Sequence, residues 1–286
     1  MKATLKIARP LCASVLLLLG LLLGGCRQMF QSLYLSVYDR DISSSAREIE
    51  TAHDNARLAA AYTKRGSAYS EKARYSRASK LISADEYERL FGLAVKDHDQ
   101  AIALDPTRAE AYYWRGQTYH DRAAQEVVVD GILVVKDPAA RKAWFAPAVA
   151  DFKKAVEKNG RNDQAWDMLG LSHEMAGELD EAISAYTQEL ALNPKLGRLR
   201  LADAYCARGG ANRGYDAAIA DYEKSIKIGA TADGCSCDPY NPLFLLYDKT
   251  RRYDQGWEVV HKARSSKKWI EPELLDILKK DSGSCN

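Results

Sequence analysis

Four cysteines in the C-terminal third, Cys206, Cys235, Cys237 and Cys285, are the residues of this chain best suited to covalent or metal chemistry. In an oxidising compartment an even set of thiols forms disulfides, and four thiols allow three connectivities. A ring closed across Cys235-Ser-Cys237 is cramped, which favours Cys206 and Cys285 each pairing with one member of that tripeptide. The alternative is a soft-metal site, Cys-x-Cys completed by Cys206 or His261. The five histidines, His53, His98, His120, His173 and His261, are dispersed. Only His120, beside Asp121, has a neighbour with which it could exchange a proton, and no nucleophile stands near the pair. The chain has no Gly-x-x-x-x-Gly-Lys phosphate loop, no His-Glu-x-x-His zinc motif and no Gly-x-Ser-x-Gly elbow. An enzyme is therefore not expected, nor is a catalytic residue, a resident metal or a cofactor.

The elements that must carry these residues are helical. Between Asn162 and Leu196 the chain reads Trp166, Leu169-Gly170, His173, Gly177, Ala182, Tyr186, Leu190 and Pro194. Small Gly170 and Ala182 let two antiparallel helices approach closely, with Trp166 and Tyr186 filling the space around them. Gly177 ends the first helix and Pro194 the second. This pattern resembles the tetratricopeptide repeat (TPR), a helix-turn-helix unit of about 34 residues. Copies flank it. Ala148 and Phe152 precede Ala182 and Tyr186 by 34 positions, and Ala94, Ala101, Leu104 and Pro106 lie further upstream. The first-helix pattern recurs at Tyr62 to Tyr69 around Gly66 and at Tyr112 to Tyr119 around Gly116. Gly214, Tyr215, Ala218 and Tyr222 mark a fourth unit whose first helix lacks the Leu-Gly pair, and a looser fifth runs from Pro242 to Ala263.

Two insertions depart from a plain array. Ser83-Ala-Asp-Glu86 reads as a capping box that starts the second helix of the first repeat early, at residue 84. In the second, Glu126 to Val129 and Ile132 to Val135 flank Asp130-Gly131, the favoured turn of a β-hairpin. Asp137-Pro138 then caps a helix that Pro147 is expected to break. The hairpin over 126–135 is apolar on both faces, so it is expected to cover the array's own edge or to support self-association.

The N-terminus carries an address. Lys2, Lys6 and Arg9 precede an apolar run from Leu11 to Leu23, too short to span a bilayer comfortably and suited to a secretory signal. It ends Leu23-Gly24-Gly25-Cys26, which resembles the cleavage site of bacterial lipoproteins and implies lipidation of Cys26. The resemblance also implies retention at the outer membrane, because Arg27 stands where inner-membrane lipoproteins usually carry Asp. An inner-membrane location or a host with a single membrane remains open. Loss of residues 1–25 lowers the 41 basic side chains to 38 against 39 acidic ones, so the mature chain is near neutral and has no global attraction to nucleic acid.

The expected fold class is all-α, a TPR superhelical solenoid with a small β-hairpin insertion and a C-terminal capping helix. The expected organisation is a signal peptide over 1–25, a tether over 26–44 and a solenoid over 45–270. The last has repeats at 59–108, 109–162, 163–196, 197–232 and 237–270, and a capping helix and tail over 271–286. Ser45 with Glu48 is expected to cap the first helix. The resemblance implies a groove lined by first helices, which in this chain gives Thr63, Ser67, Ser70, Tyr113, Gln117, His120, Asp121, Asp167, Leu171 and Glu174. The Lys, Asn and Arg with which some TPR domains clamp a chaperone's terminal carboxylate are missing there, and a mixed, mildly acidic groove for a peptide is expected instead. The plan is similar to that of NlpI-type and pilotin-type outer-membrane adaptor lipoproteins. It implies a scaffold for envelope proteins or peptides, anchored to the membrane through its lipid. The alternative is a periplasmic lipoprotein that binds a small ligand or metal through the cysteine-rich loop.

Overall fold

The computed structural model describes residues 27–282 apart from 80, 130, 131, 134, 136, 212, 213 and 230–236. The signal segment, Cys26, Cys235, Cys285 and the Asp130-Gly131 turn lie outside the described residues. Twelve helices are described, and the chain divides into two compact units, residues 1–121 and 122–286.

The first unit holds α1 (Arg27–Thr51), α2 (Asn55–Ala78), α3 (Ala84–Leu104) and most of α4 (Ala109–Val127). Asp54 caps α2 by accepting from the Arg57 amide at 2.8 Å, and Ser83 caps α3 by accepting from that of Glu86 at 3.2 Å. The expected start of α3 at residue 84 is therefore the observed one. The expected tether over 26–44 and the capping box at Ser45 are corrected over the described residues: 27–44 are already helical and continue into the rest of α1, with Ser45 buried inside the helix. The physical reason is packing. α1 lies against α2, burying Tyr38, with Lys72 bonded to Asp39 at 2.6 Å and Lys64 to Glu48 at 2.8 Å.

The second unit holds the end of α4, then α5 (Pro138–Lys158), α6 (Asp163–Ala176), α7 (Leu179–Leu192), α8 (Pro194–Ala211), α9 (Tyr215–Ile228), α10 (Tyr240–Lys249), α11 (Tyr253–Ser265) and α12 (Pro272–Ser282). Asn162 caps α6, and Gly177 ends it at φ 82°, a left-handed geometry that glycine adopts without steric cost. Connections of a few residues fold α6 back on α7, α8 on α9 and α10 on α11. The capping helix expected from residue 271 is α12, whose Leu274 and Leu278 close a core formed with Tyr240, Leu243, Phe244, Tyr247 and Val260.

The β-hairpin insertion is overturned. Glu126 and Val127 belong to the last turn of α4, and Val127 is fully buried with Ala123, Phe145 and Ala176. Only β1 (Val128–Val129) and β2 (Ile132–Leu133) pair, antiparallel and two residues a side, which is too short to make a layer of the fold. Burial of Val127 in a helical core outweighs the strand preference of the valine run. The fold class is accordingly an all-helical, TPR-like array, and the four-residue strands expected as a self-association edge do not form. Pro147 is also corrected: α5 runs through it without a break, forgoing the one backbone bond that proline cannot donate.

Glycine sets how closely paired helices meet. A Cβ on Gly170 would stand 2.4 Å from Cε1 of Tyr186, and one on Gly66 2.6 Å from Cε1 of His98. Gly170→Ala is therefore expected to lower stability by about 1–3 kcal/mol. Gly92→Ala, in α3 with nothing within 4 Å, should raise it by roughly 0.5–1 kcal/mol. Chemical denaturation of both variants checks the contrast.

Cys206 of α8 is joined to Cys237, with Cα atoms 6.3 Å apart across 31 positions. This pairs Cys206 with one member of the Cys235-Ser-Cys237 tripeptide, as the sequence favours. A Cys206→Ser, Cys237→Ser protein should lose about 3–4 kcal/mol, the loop-closure entropy of a ring this size. Urea unfolding with and without reductant measures it.

Candidate functional site

The ten groove residues separate by unit. In the first, α2 and α4 supply seven, and most have local partners. Thr63 is buried and donates to the Ala59 carbonyl at 2.8 Å; Ser67 donates to that of Lys64 at 2.9 Å. Ser70 and Thr118 are both buried and share a short hydroxyl–hydroxyl bond. Tyr113 packs edge-on to Trp114 at 5.3 Å. Gln117 donates to Asp121 at 3.0 Å, and Arg74 faces the other oxygen of that carboxylate at 3.6 Å. Between Ser70, Arg74, Tyr87, Phe91 and Asp121 lies a gap of about 10 Å³, the size of one water. Thr63, Ser70 and His120 are thus too buried to line an open groove. Burial pushes the Asp121 carboxyl up to about 6 and the His120 imidazole down to about 4.

In the second unit the three remaining residues lie on one helix and are partly exposed. Asp167, Leu171 and Glu174 rise along α6 at helical spacing, each half-buried. Arg200 reaches across from α8 and bonds Asp167 at 2.7 Å. Tyr186 of α7 passes beneath and donates its hydroxyl to Glu174 at 2.8 Å. Burial raises the Glu174 carboxyl, and Asp203 and Asp167 add to that, while the Tyr186 hydrogen bond and Arg200 oppose it. Asp203 also accepts from the Cys237 amide at 3.2 Å, so the disulfide-bearing segment is tied to the same helix. Sequence reasoning missed Arg200, which lies 33 positions beyond Asp167 in a repeat whose first helix lacks the usual Leu-Gly pair.

A second concavity of about 570 Å³ lies on the same unit between the α6–α7 turn, the end of α8 and α9. Arg208 crosses it, holding Asp221 at 2.7 Å and Asp180 at 2.5 Å. Nearby, buried His173 bonds Glu178 at 2.7 Å, and Lys142 completes that carboxylate at 2.6 Å. These groups tie helices together. His53 and His261 are exposed, and His98 is fully buried, with neither ring nitrogen bonded. Among the described residues no three His, Cys, Asp or Glu side chains are placed to hold a metal, and no helix is long and apolar enough to cross a membrane.

Residues 163–196 match the family model of the tetratricopeptide repeat. No curated protein matches the chain. Among solved structures, a MamA protein is 20% identical, with 77% of this chain and 96% of that one covered at a TM-score of 0.40. YrrB, a TPR protein with an unusual peptide-binding site, is 16% identical over 75% and 91% at 0.41. A thermophilic TPR protein of Thermus thermophilus is 21% identical over 76% and 91% at 0.40.

His98 carries the clearest pH dependence. Burial holds its imidazole down to about 3, with the Arg115 charge adding to the effect. The unfolded chain therefore takes up the proton first on acidification. Stability is complete above about pH 6.5 and is lost as the pH falls toward 3. His98→Phe should remove that loss, on the order of a few kcal/mol, and the difference in melting temperature between wild type and variant should widen steadily from pH 7 to pH 4.

Proposed function

We propose that this chain is a lipid-anchored adaptor of a bacterial cell envelope, whose helical repeats hold a protein or peptide partner during assembly or regulation of an envelope complex. The observation that carries the reading is the partly exposed row of Asp167, Leu171 and Glu174 on the TPR-matched segment, with Arg200 bonded to Asp167 from the following helix. An apolar side chain between charged ones suits an extended or helical peptide better than a small molecule. Leu23-Gly24-Gly25-Cys26 supports acylation of Cys26, and Arg27 supports the outer membrane, facing the periplasm. The NlpI-type and pilotin-type adaptors share this plan of lipidated cysteine and helical repeats. Residues 27–44, which follow Cys26, are helical and so do not form an extended spacer. The near-neutral mature chain argues against nucleic acid as the partner. The rival, a metal- or ligand-binding loop, is weakened because the Cys206 and Cys237 thiols are spent on each other.

Affinity capture of the full-length protein from its own crosslinked cells, compared with a Cys26→Ala form, tests the proposal. A small set of envelope proteins enriched only with the lipidated form is the expected outcome. No enrichment, with Cys26→Ala cells indistinguishable from wild type, would sink it.

A further inference from the structure

The second helices of the five repeats share a register. Seven positions after Ala94, Ala148, Ala218 and Gly256 stand Ala101, Ala155, Ser225 and Ala263, all fully buried. Seven after Ala182 stands Glu189. Its residue is fully buried too, and neither carboxylate oxygen has a hydrogen-bond partner in the protein. Ser225, the other polar residue in this register, donates to the Ala202 carbonyl at 2.7 Å and so is satisfied. A carboxyl inserted where alanine packs, without a partner, costs stability that packing does not return. Such a group calls for another explanation.

Its electrostatic surroundings supply one. The groups that act on Glu189 are Asp167, Arg200 and Asp163, the first two being the ion pair between α6 and α8. Asp163 accepts from Asn193 at 3.0 Å, and Glu174 senses Asp167, Asp203 and Arg200 in turn. Arg200 is bonded to Asp167 and senses Glu174, so this one guanidinium serves carboxylates on α6 while Glu189 is left without a hydrogen-bond partner. The α7 and α8 backbones meet at this point, where a Cβ on Gly197 would stand 2.4 Å from Cα of Leu190.

We propose that Glu189 is the buried counter-charge of a cation-binding point on the Asp167–Glu174 face, and that the ligand is a lysine or arginine side chain on a basic segment of the partner. This rests on the groove reading and names the partner's chemistry. Arg200 acts as an internal stand-in for that cation. An arriving ammonium or guanidinium pairs with Asp167 and Glu174, and the added positive charge draws Glu189 into its ionised form. Free, that carboxyl is pushed up to about 7, first by burial and then by Asp167. Binding therefore releases a proton and weakens as the pH falls below 7.

The test uses the full-length lipidated protein in detergent and a short fluorescein-labelled peptide of alternating lysine and alanine, with a glutamate–alanine peptide as control. Wild type should prefer the lysine peptide. Glu189→Ala should melt higher than wild type, since it restores the small residue of the other repeats, yet bind about tenfold more weakly, a loss of about 1.4 kcal/mol. Isosteric Glu189→Gln should flatten the dependence of affinity on pH between 6 and 8. Higher melting with unchanged affinity overturns the inference, and so does lower melting, which would show Glu189 to be a packing residue with a partner. If Asp167→Asn with Glu174→Gln abolishes binding while Glu189→Ala leaves it intact, the groove stands and the buried counter-charge falls. If wild type does not distinguish the two peptides while capture from cells still returns a partner, the basic ligand falls and the adaptor reading survives.

Discussion

The contact on which the rest of the second unit depends is the face of Gly170 against the ring of Tyr186. With no side chain at residue 170, the ring lies flush on α6, and α6 and α7 close to a distance that Ala182 also permits. The same device recurs as Gly66 under His98 and, more loosely, as Gly209 under Tyr222, where an added Cβ would stand 3.1 Å away. Packing and function meet at Tyr186, because its ring fills the helix contact while its hydroxyl emerges to hold Glu174. The orientation of a groove carboxylate is thus set from the core.

Arginine forks tie successive helices at the level above. Arg65 binds Asp97 through two nitrogens at 2.7 Å, joining α2 to α3, and Arg208 grips Asp221 in the same way from α8 to α9. In each the carboxylate is buried and the guanidinium partly solvated, which keeps desolvation of the cation low while fixing its geometry. Arg200 differs. It reaches Asp167 through Nε alone, and it senses a buried Glu189 whose carboxylate oxygens have no hydrogen-bond partner. Of these three contacts it is the least completed.

Much of the fold was legible because backbone geometry dictates residue type. Asp137 and Ser83 read as caps and are caps; Gly177 reads as a helix end and is one, in the left-handed conformation. The hairpin misled because the Val127 to Val129 run carries a strand signal, whereas its first member is claimed by the cluster of Ala123, Phe145 and Ala176. The α1 segment looked like a tether because its serines and scattered aromatics lack a periodic stripe. Its stability comes from burial against α2, which sequence alone does not display. Side-chain partners were less legible than the helices that carry them. The family resemblance pointed to Asp167, Leu171 and Glu174, but not to the bond of Ser70 with Thr118, nor to the reach of Arg200 between helices.

The groups that the fold leaves under-satisfied are unequally divided between the two units. In the first, Thr63, Ser67 and Ser70 each complete a bond within the unit, and Gln117 and Arg74 are turned toward Asp121. A ligand there would have to break bonds worth about as much as those it made. In the second, the Glu174 carboxylate takes a single neutral hydroxyl, Asp167 shares one guanidinium nitrogen, and Glu189 takes nothing. A cation arriving at this face displaces little and supplies the charge that the buried carboxyl lacks. Desolvation has already been incurred on folding, so the binding free energy need not cover it again.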